Sequence, residues 1–465
     1  MHPDLSEDLA RLPELLDSAR RFATEALGAL DERPAAVAPE PTSPTALPQR
    51  GIGGEATLGL FRERWAGTFS GSAGARYLGF VTGGSTPASV MGDWLATAFD
   101  QNVVTGTDSA ASDLEREAVD WLRELFSLSP QHIGGFVSGA TMSNFVGLAV
   151  GREWLGERRG VSVSEQGNGA LGDVAVLSGS PHSSVYKALA MLGLGRGCVH
   201  RIAASGGREA IDIDRLATEL EQLDGRPAIV VANAGTVNTG DFDDLRAIAG
   251  LRRHFPFWLH VDGAFGAFAA LSEELRGLVE GLSEADSVCV DLHKYLNVPY
   301  DSAVQFTRRQ DLQVRIFQNA AAYLGLPAED PDFVHLMPES SRRLRALPAW
   351  FTLTAYGIEG HREVVDRTTS LARTLGDRIA GISNLRLLAP VRFNIACFTL
   401  AERPTAERVD VLARAIADSG ETFVTPTVHG GTPALRAAVS SWRTTATDID
   451  RVVEAIAGAA ARAHA

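Results

Sequence analysis

Lys294 follows an apolar run, Ser287-Val-Cys-Val-Asp-Leu-His-Lys294-Tyr, at a place where a solvated surface charge is not expected. A lysine drawn partly out of water has a lowered pKa and becomes a nucleophile toward carbonyl groups. Taken alone, it also reads as a lysine snorkelling out of a loop. Asp262 closes a second apolar run, Phe257-Trp-Leu-His-Val-Asp262, with Gly263, Ala264 and Gly266 leaving room beside it. A carboxylate there needs a donor or water. A cationic heterocyclic nitrogen is one such donor, and the N–H groups of the following turn are another. His182, in Ser180-Pro-His182-Ser-Ser, opens a helical stretch, where its imidazole could lie on a flat ligand or cap the helix. The fourth stretch, Ser138-Gly139-Ala140-Thr141-Met-Ser-Asn144, also leads from an apolar run into a helix. Small residues and free N–H groups at a helix start suit a phosphate, and equally an ordinary N-cap turn.

In chain order these are a phosphate cup, a flat ring, an acid and an amine. Together they match the needs of pyridoxal 5′-phosphate, which takes a lysine on its aldehyde and an acid on its ring nitrogen. A competing motif, Gly167-Asn-Gly-Ala-Leu-Gly172, fits the dinucleotide pattern G-x-G-x-x-G. It precedes the strand it would have to follow, and reads as a loop.

At these residues the chain resembles the group II pyridoxal-phosphate-dependent amino-acid decarboxylases, the family of aromatic-L-amino-acid and glutamate decarboxylases. The resemblance runs through Phe80-Val-Thr-Gly-Gly, Asp93-Trp-Leu, Gln101-Asn-Val-Val-Thr and Glu117-Ala-Val-Asp-Trp-Leu. It continues through Gly235-Thr-Val-Asn-Thr-Gly, His260-Val-Asp262, His293-Lys294-Tyr, Ser341-Arg-Arg-Leu-Arg-Ala and Ser441-Trp-Arg-Thr-Thr. It implies the aspartate-aminotransferase-like fold type I: an α/β protein with a mainly parallel central sheet and a small C-terminal α+β domain. It also implies a homodimer with shared active sites. By the same resemblance Lys294 forms the Schiff base, Asp262 meets the pyridinium nitrogen, and His182 lies on the ring face with His293 next to Lys294. Gly139, Ala140 and Thr141 then surround the phosphate, and Thr236 falls beside the cofactor. Phe80 and Thr82 fall where the family lines its substrate pocket, with Val103 on a segment supplied by the neighbouring subunit. The implied reaction is decarboxylation of an L-amino acid, with aromatic side chains weakly preferred.

The chain departs from that pattern at the residue that returns a proton to Cα. The family's usual Tyr lies on a loop ahead of the Arg-Arg motif; Gly325 to Ser340 holds none, and counting back from Arg342-Arg343 puts Phe333 in its place. Phe has no acid proton, whereas His335, two residues on, can donate one. In plant and insect relatives a Phe there accompanies aldehyde synthesis. Amine and aldehyde products both stay open, as does a non-catalytic cofactor-binding homologue. Val103 stands where aromatic-substrate members often carry a bulky aromatic residue.

Helices and strands alternate from about residue 80 onward to position these groups. The pattern predicts strands at Ile133–Ser138, Asp173–Ser178, Val199–Ile202, Ala228–Ala232, Phe257–Val261 and Ser287–Val290. Helices are predicted at Pro87–Phe99, Ser112–Phe126, Met142–Leu155, Ser184–Leu192 and Phe242–His254. Such alternation gives a mainly parallel sheet whose ligands sit at the carboxyl ends of the strands. An amphipathic helix over 5–30 and a Pro-rich stretch, Pro34–Pro48, come first. A long helix near Arg342–Leu375 leads into strands at Leu385–Leu388, Phe393–Leu400, Thr422–Thr425 and Ala434–Ser440. The expected division is an N-terminal helical arm for dimerisation over 1–78, a large cofactor domain over 79–345 and a small domain over 346–465.

Composition excludes several classes. With 43 Lys+Arg against 57 Asp+Glu in 465 residues, the formal charge is −14, which argues against a nucleic-acid partner. The 45% apolar content excludes wholesale disorder. No run nears the roughly 18 apolar residues of a membrane span. Cys198, Cys289 and Cys397 lie far apart in no metal-ligand spacing, so no metal is expected. They fit buried thiols of a reducing compartment, and the cytoplasm is the expected address.

Overall fold

The computed structural model describes residues 1–38, 43–319 and 330–464. Seven strands build the central sheet: β1 (Ile133–Val137), β2 (Val176–Ser178), β3 (Val199–Arg201), β4 (Ala228–Asn233), β5 (Phe257–Asp262), β6 (Ser287–Asp291) and β7 (Ala303–Thr307). Their spatial order is β1-β7-β6-β5-β4-β2-β3. Neighbours from β3 to β6 are parallel, and β7 runs antiparallel between β1 and β6. Every residue of β4, β5, β6 and β7 is buried, as in a sheet covered on both faces. β7 was not among the predicted strands; its short Ala-Val-Gln-Phe-Thr run has a central polar residue that breaks the apolar signal. The carboxyl ends of β1, β2, β4, β5 and β6, namely Val137, Ser178, Asn233, Asp262 and Asp291, therefore share one edge.

A second, antiparallel sheet follows, of β8 (Leu385–Leu387), β9 (Ile395–Leu400), β10 (Thr425–His429) and β11 (Thr432–Ala438), in the order β10-β11-β9-β8. The strand predicted at Thr422–Thr425 begins at Thr425 instead. Gly430 and Gly431, with φ of 54° and 79°, close a two-residue hairpin turn that sets this register. Helix Ala346–Ala380 bends at Gly357, where φ is 59°. Before the bend Ala346, Leu347, Ala349 and Leu353 join the core of the large sheet; beyond it Ala372, Leu375 and Ile379 join that of the small one.

The helix predicted over 5–30 is two helices, Pro3–Ala10 and Leu12–Gly28. Pro13 has no N–H and fits only a first helical turn. These two helices and Gly54–Arg64 bury no residue, and leave Leu5, Leu9, Leu12 and Leu16 exposed. Of the Pro-rich stretch, 39–42 lie outside the described residues. The helix predicted at Phe242–His254 is Leu245–Gly250, started late by Asp244, whose carboxylate accepts the Ala247 N–H at 2.9 Å. Among the described residues no helix is long and apolar enough to cross a membrane.

Arg342, the first residue of the Arg-Arg motif, is buried against Glu115 at 2.5 Å. Its guanidinium also donates to the carbonyls of Val103 (2.7 Å) and Phe136 (2.8 Å), while Glu115 accepts the Phe136 N–H at 3.0 Å. The pair ties the helix Ala111–Leu125 and β1 to the chain leading into Ala346–Ala380. Arg342→Met strands a buried carboxylate and is expected to cost about 3–5 kcal/mol. The double change Glu115→Leu/Arg342→Met should recover most of that loss, with both read from urea unfolding midpoints.

Candidate active site

Asp291 ends β6, and one helical turn, Leu292–Tyr295, follows. That turn brings Lys294 back over Asp291, with Nζ 2.8 Å from Oδ2. The other oxygen, Oδ1, accepts the Ala140 N–H at 2.6 Å. The Lys294 side chain keeps 19% of its exposure. Burial pulls the Lys294 pKa down, but the charge and hydrogen bond of Asp291, then the charge of Asp262, outweigh it and hold it above the usual lysine range. This reverses the lowered value expected from sequence. The missing contribution is Asp291, which carries the same signal as Asp262, an acid closing an apolar strand.

Asp262 ends β5 and is buried. Its Oδ2 accepts from Asn144 Nδ2 at 2.9 Å and its Oδ1 from the Ala264 N–H at 3.2 Å. It does cap the following turn, and each oxygen keeps a lone pair for a further donor. Asn144 also donates to Ser184 Oγ at 3.0 Å, which lies 2.8 Å from His182 Nδ1. His182 is the N-cap of helix Ser183–Met191, its Nδ1 accepting the Ser184 N–H. Its pKa is lowered by burial, with Asp262 opposing and the cations Lys294 and Arg436 adding to the fall. His182, Asp262 and Lys294 thus share one electrostatic environment.

Gly139, Ala140 and Thr141 open the helix Ala140–Arg158 on the same edge. The N–H groups of Met142 and Ser143 turn back to the Gly139 carbonyl, and that of Ala140 goes to Asp291. Among the described residues, the Thr141 N–H has no protein acceptor, as expected in a first turn. His293 is buried, its Nδ1 accepting the Ser302 N–H at 3.2 Å, and its ring lies 4.3 Å from that of Tyr300. The Tyr300 hydroxyl is 3.5 Å from Thr82 Oγ1. Phe80 is exposed, with φ of 62°, and its N–H donates to Thr425 Oγ1 at 2.8 Å. A Cβ on Gly83 would fall 1.8 Å from the Lys294 carbonyl oxygen, so only glycine lets the Phe80–Thr82 segment lie this close. Sequence reading passed over Tyr300, whose only signal is an aromatic residue six places after the lysine. Thr236 is buried with its hydroxyl donated to Glu209 at 2.6 Å. Burial pushes that glutamate's pKa up, but bonds from His429, Thr236, Thr239 and Asn238 bring it down to about 2.

Three predicted residues do not reach this cluster. Val103, Phe333 and His335 are core residues, 0%, 1% and 3% exposed. The Val103 N–H and carbonyl both pair with Arg342. The Phe333 ring lies 4.6 Å from the Arg342 guanidinium and 5.2 Å from that of Arg116. His335 Nδ1 accepts the Asn319 N–H at 3.1 Å. Arg342 is itself buried and anchors this stretch inward, so within this chain none of the three joins the cluster, Val103 being the residue expected to serve the neighbouring subunit's site. Gly325–Glu329, the start of the expected loop, lies outside the described residues.

Residues 76–401 match the family described as the pyridoxal-dependent decarboxylase conserved domain. The chain belongs to that family. It is 28% identical over 330 residues to an aromatic-L-amino-acid decarboxylase of Bacillus atrophaeus, covering 69% of this chain and 66% of that one, just under two thirds of the relative's length. It is 29% identical over 394 residues to a 3,4-dihydroxyphenylacetaldehyde synthase of Drosophila melanogaster, covering 78% of this chain and 73% of the relative. Its fold matches that of Oryza sativa TDC solved with PLP and tryptamine, with a TM-score of 0.89 at 22% identity over 97% and 98% of the two chains. Pyridoxal phosphate is the cofactor of this family, and the residues fit it. Lys294 offers an amine for an aldehyde, and Asp262 a buried acceptor for a ring N–H. His182 offers a flat ring, and the Thr141 N–H a donor for phosphate. Arg436 on β11 has a buried Nε with no partner among the described residues, which suits an anion.

Because Asp291 is what holds the Lys294 pKa up, Asp291→Asn is expected to lower it. The pH at which half of Lys294 reacts with trinitrobenzenesulfonate, mapped by peptide mass, should move down. An unmoved midpoint would show that Asp291 does not control the amine.

Proposed function

We propose that this protein removes the α-carboxylate of an L-amino acid as carbon dioxide, with an aromatic side chain weakly preferred. One observation carries the reading: in a chain of this family, the Lys294 amine stands with Asp262, Asp291 and His182 along a single edge of the sheet. When bound, pyridoxal phosphate supplies an aldehyde for amines and a cationic ring that draws the electron pair of the broken bond. In this reading Asp262 accepts the ring N–H and keeps its proton in place, and His182 lies uncharged on the ring face. Asp291 holds the Lys294 amine in place at the strand end, from where it can meet the aldehyde once its proton has gone to solvent. Thr141 and Arg436 hold the anionic groups, with Phe80 and Thr82 beside the substrate.

A proton must then reach Cα. His335 and Phe333 are walled off in the core, and we infer that Tyr300 is the donor. Its hydroxyl meets Thr82, its ring meets His293, and Gly83 brings this segment against Lys294. At 63% exposure, it regains its proton from water. The second reading, aldehyde synthesis, is favoured by the Drosophila relative. We also infer a homodimer, since Leu5, Leu9, Leu12 and Leu16 of the N-terminal helices stay exposed among the described residues and would be covered by a second surface. The free thiols Cys198, Cys289 and Cys397 suit a cytoplasmic address.

Purified holoprotein given a panel of L-amino acids should release carbon dioxide and amine in equal amounts from at least one. No carbon dioxide from any would overturn the reading; peroxide and ammonia in place of amine would select the aldehyde synthase. Tyr300→Phe should lower kcat about 100-fold with KM little changed, while Phe333→Tyr leaves the product ratio unaltered. An unchanged kcat in the Tyr300 variant would remove it as the donor.

A further inference from the structure

Beneath Asp262 a line of buried polar side chains runs away from the site into the sheet. Trp258 and His260 lie two residues apart on β5, so both face the helix Ala140–Arg158. Ser287 pairs with His260 across the β5–β6 ladder. Trp258 Nε1 donates to Ser287 Oγ at 3.0 Å, and that oxygen lies 2.8 Å from His260 Nδ1. His260 Nε2 lies 2.7 Å from Asn144 Oδ1. The two hydrogens of the Asn144 amide go to Asp262 Oδ2 and Ser184 Oγ, and Ser184 meets His182 Nδ1. Trp258, Ser287, His260 and Asn144 are all buried.

The sense of every bond in this line is fixed from one end. The Asp262 carboxylate can only accept, so the NH2 of Asn144 is the face turned to Asp262 and Ser184, and Asn144 Oδ1 accepts from His260 Nε2. A neutral His260 then has a bare Nδ1, which accepts the Ser287 hydroxyl hydrogen, while Ser287 Oγ accepts the Trp258 indole N–H. The Ser184 hydroxyl in turn points at His182 Nδ1, so His182 keeps its proton on Nε2. Burial presses the His260 pKa down to about 4, so it stays neutral, with one tautomer, at ordinary pH.

We propose that His260 and Asn144 are positioning residues that act through this proton order. They turn two donors outward, one fixing Asp262 as the acceptor for the cofactor's ring nitrogen and one fixing the tautomer of His182 on the ring face. The inference rests on the roles given to Asp262 and His182 above, and adds the residues that impose them.

The test compares cofactor affinity, by equilibrium fluorescence, for pyridoxal phosphate and for 1-deazapyridoxal phosphate, in which carbon replaces the ring nitrogen. His260→Leu should weaken the natural cofactor about tenfold or more, the loss of a hydrogen bond to a charged group. It should weaken the deaza analogue by less than about twofold, because no ring N–H remains for Asp262 to hold. His260→Gln, which returns a donor near the Nε2 position, should restore affinity. If His260→Leu does not fold, Asn144→Ser carries the same comparison. An equal loss with both cofactors marks a merely structural role and overturns the proposal, as does no loss with either. Wild-type protein that binds neither cofactor would instead overturn the reading of the site, and this inference with it.

Discussion

Two carboxylates end neighbouring parallel strands, Asp262 on β5 and Asp291 on β6, and both are buried. An interior holds such a pair only if each finds donors and some cation offsets them. Asn144 and the Ala264 N–H serve Asp262, and the Ala140 N–H serves Asp291. The cation is Lys294, bonded to one acid and within the field of the other. The lysine's presence at a strand end is thus as much an electrostatic requirement of the sheet as a chemical device. Any partner that takes up its amine must leave the charges of this edge balanced, which a cofactor with a cationic ring and an anionic phosphate can do.

The helix Ala140–Arg158 meets these needs by lying unusually close to the sheet. A Cβ on Gly147 would come 2.7 Å from the His260 ring, and one on Gly151 would come 2.8 Å from the Trp258 indole. Glycine at two positions four apart lets one helix face settle onto β5. Asn144, on the same face one turn earlier, can then reach Asp262 and His260 together. The helix start that offers N–H groups to an anion and the helix face that orients the acid are parts of one placement. The flexibility that glycine brings to a helix interior is the cost of that approach.

The sequence disclosed the alternation of helices and strands, and the lysine, acid and histidine at strand ends, because each breaks an apolar pattern where it stands. Asp291 breaks the same pattern, but its pairing with Lys294 exists only once the helical turn after β6 folds back. Asn144, His260 and Ser287 could not be read in this way. Each is an unremarkable polar residue in its own segment, and their relation exists only once β5, β6 and the helix are brought together. β7 escaped for want of an apolar run, and the bend at Gly357 for want of any break in helical periodicity. The Lys294 pKa lies above the lysine range and not below it because burial, partly legible in a sequence, is outweighed by a carboxylate three residues away that only the folded turn brings to the amine.

The inward position of Phe333 and His335 within this chain has a different origin, and it bears on the chemistry. Spacing from a motif locates a residue only if the intervening chain runs the same way. Here Arg342 is drawn into the core by Glu115 and two carbonyls, and its guanidinium packs on the Phe333 ring. A hydroxyl at position 333 would enter this packed ring environment, where it would need a partner of its own. The loss of a Tyr there is therefore consistent with a residue whose work is structural. In the reading proposed above the proton donor comes from another element, and Tyr300, between β6 and β7, lies at the end of the sheet that carries Lys294.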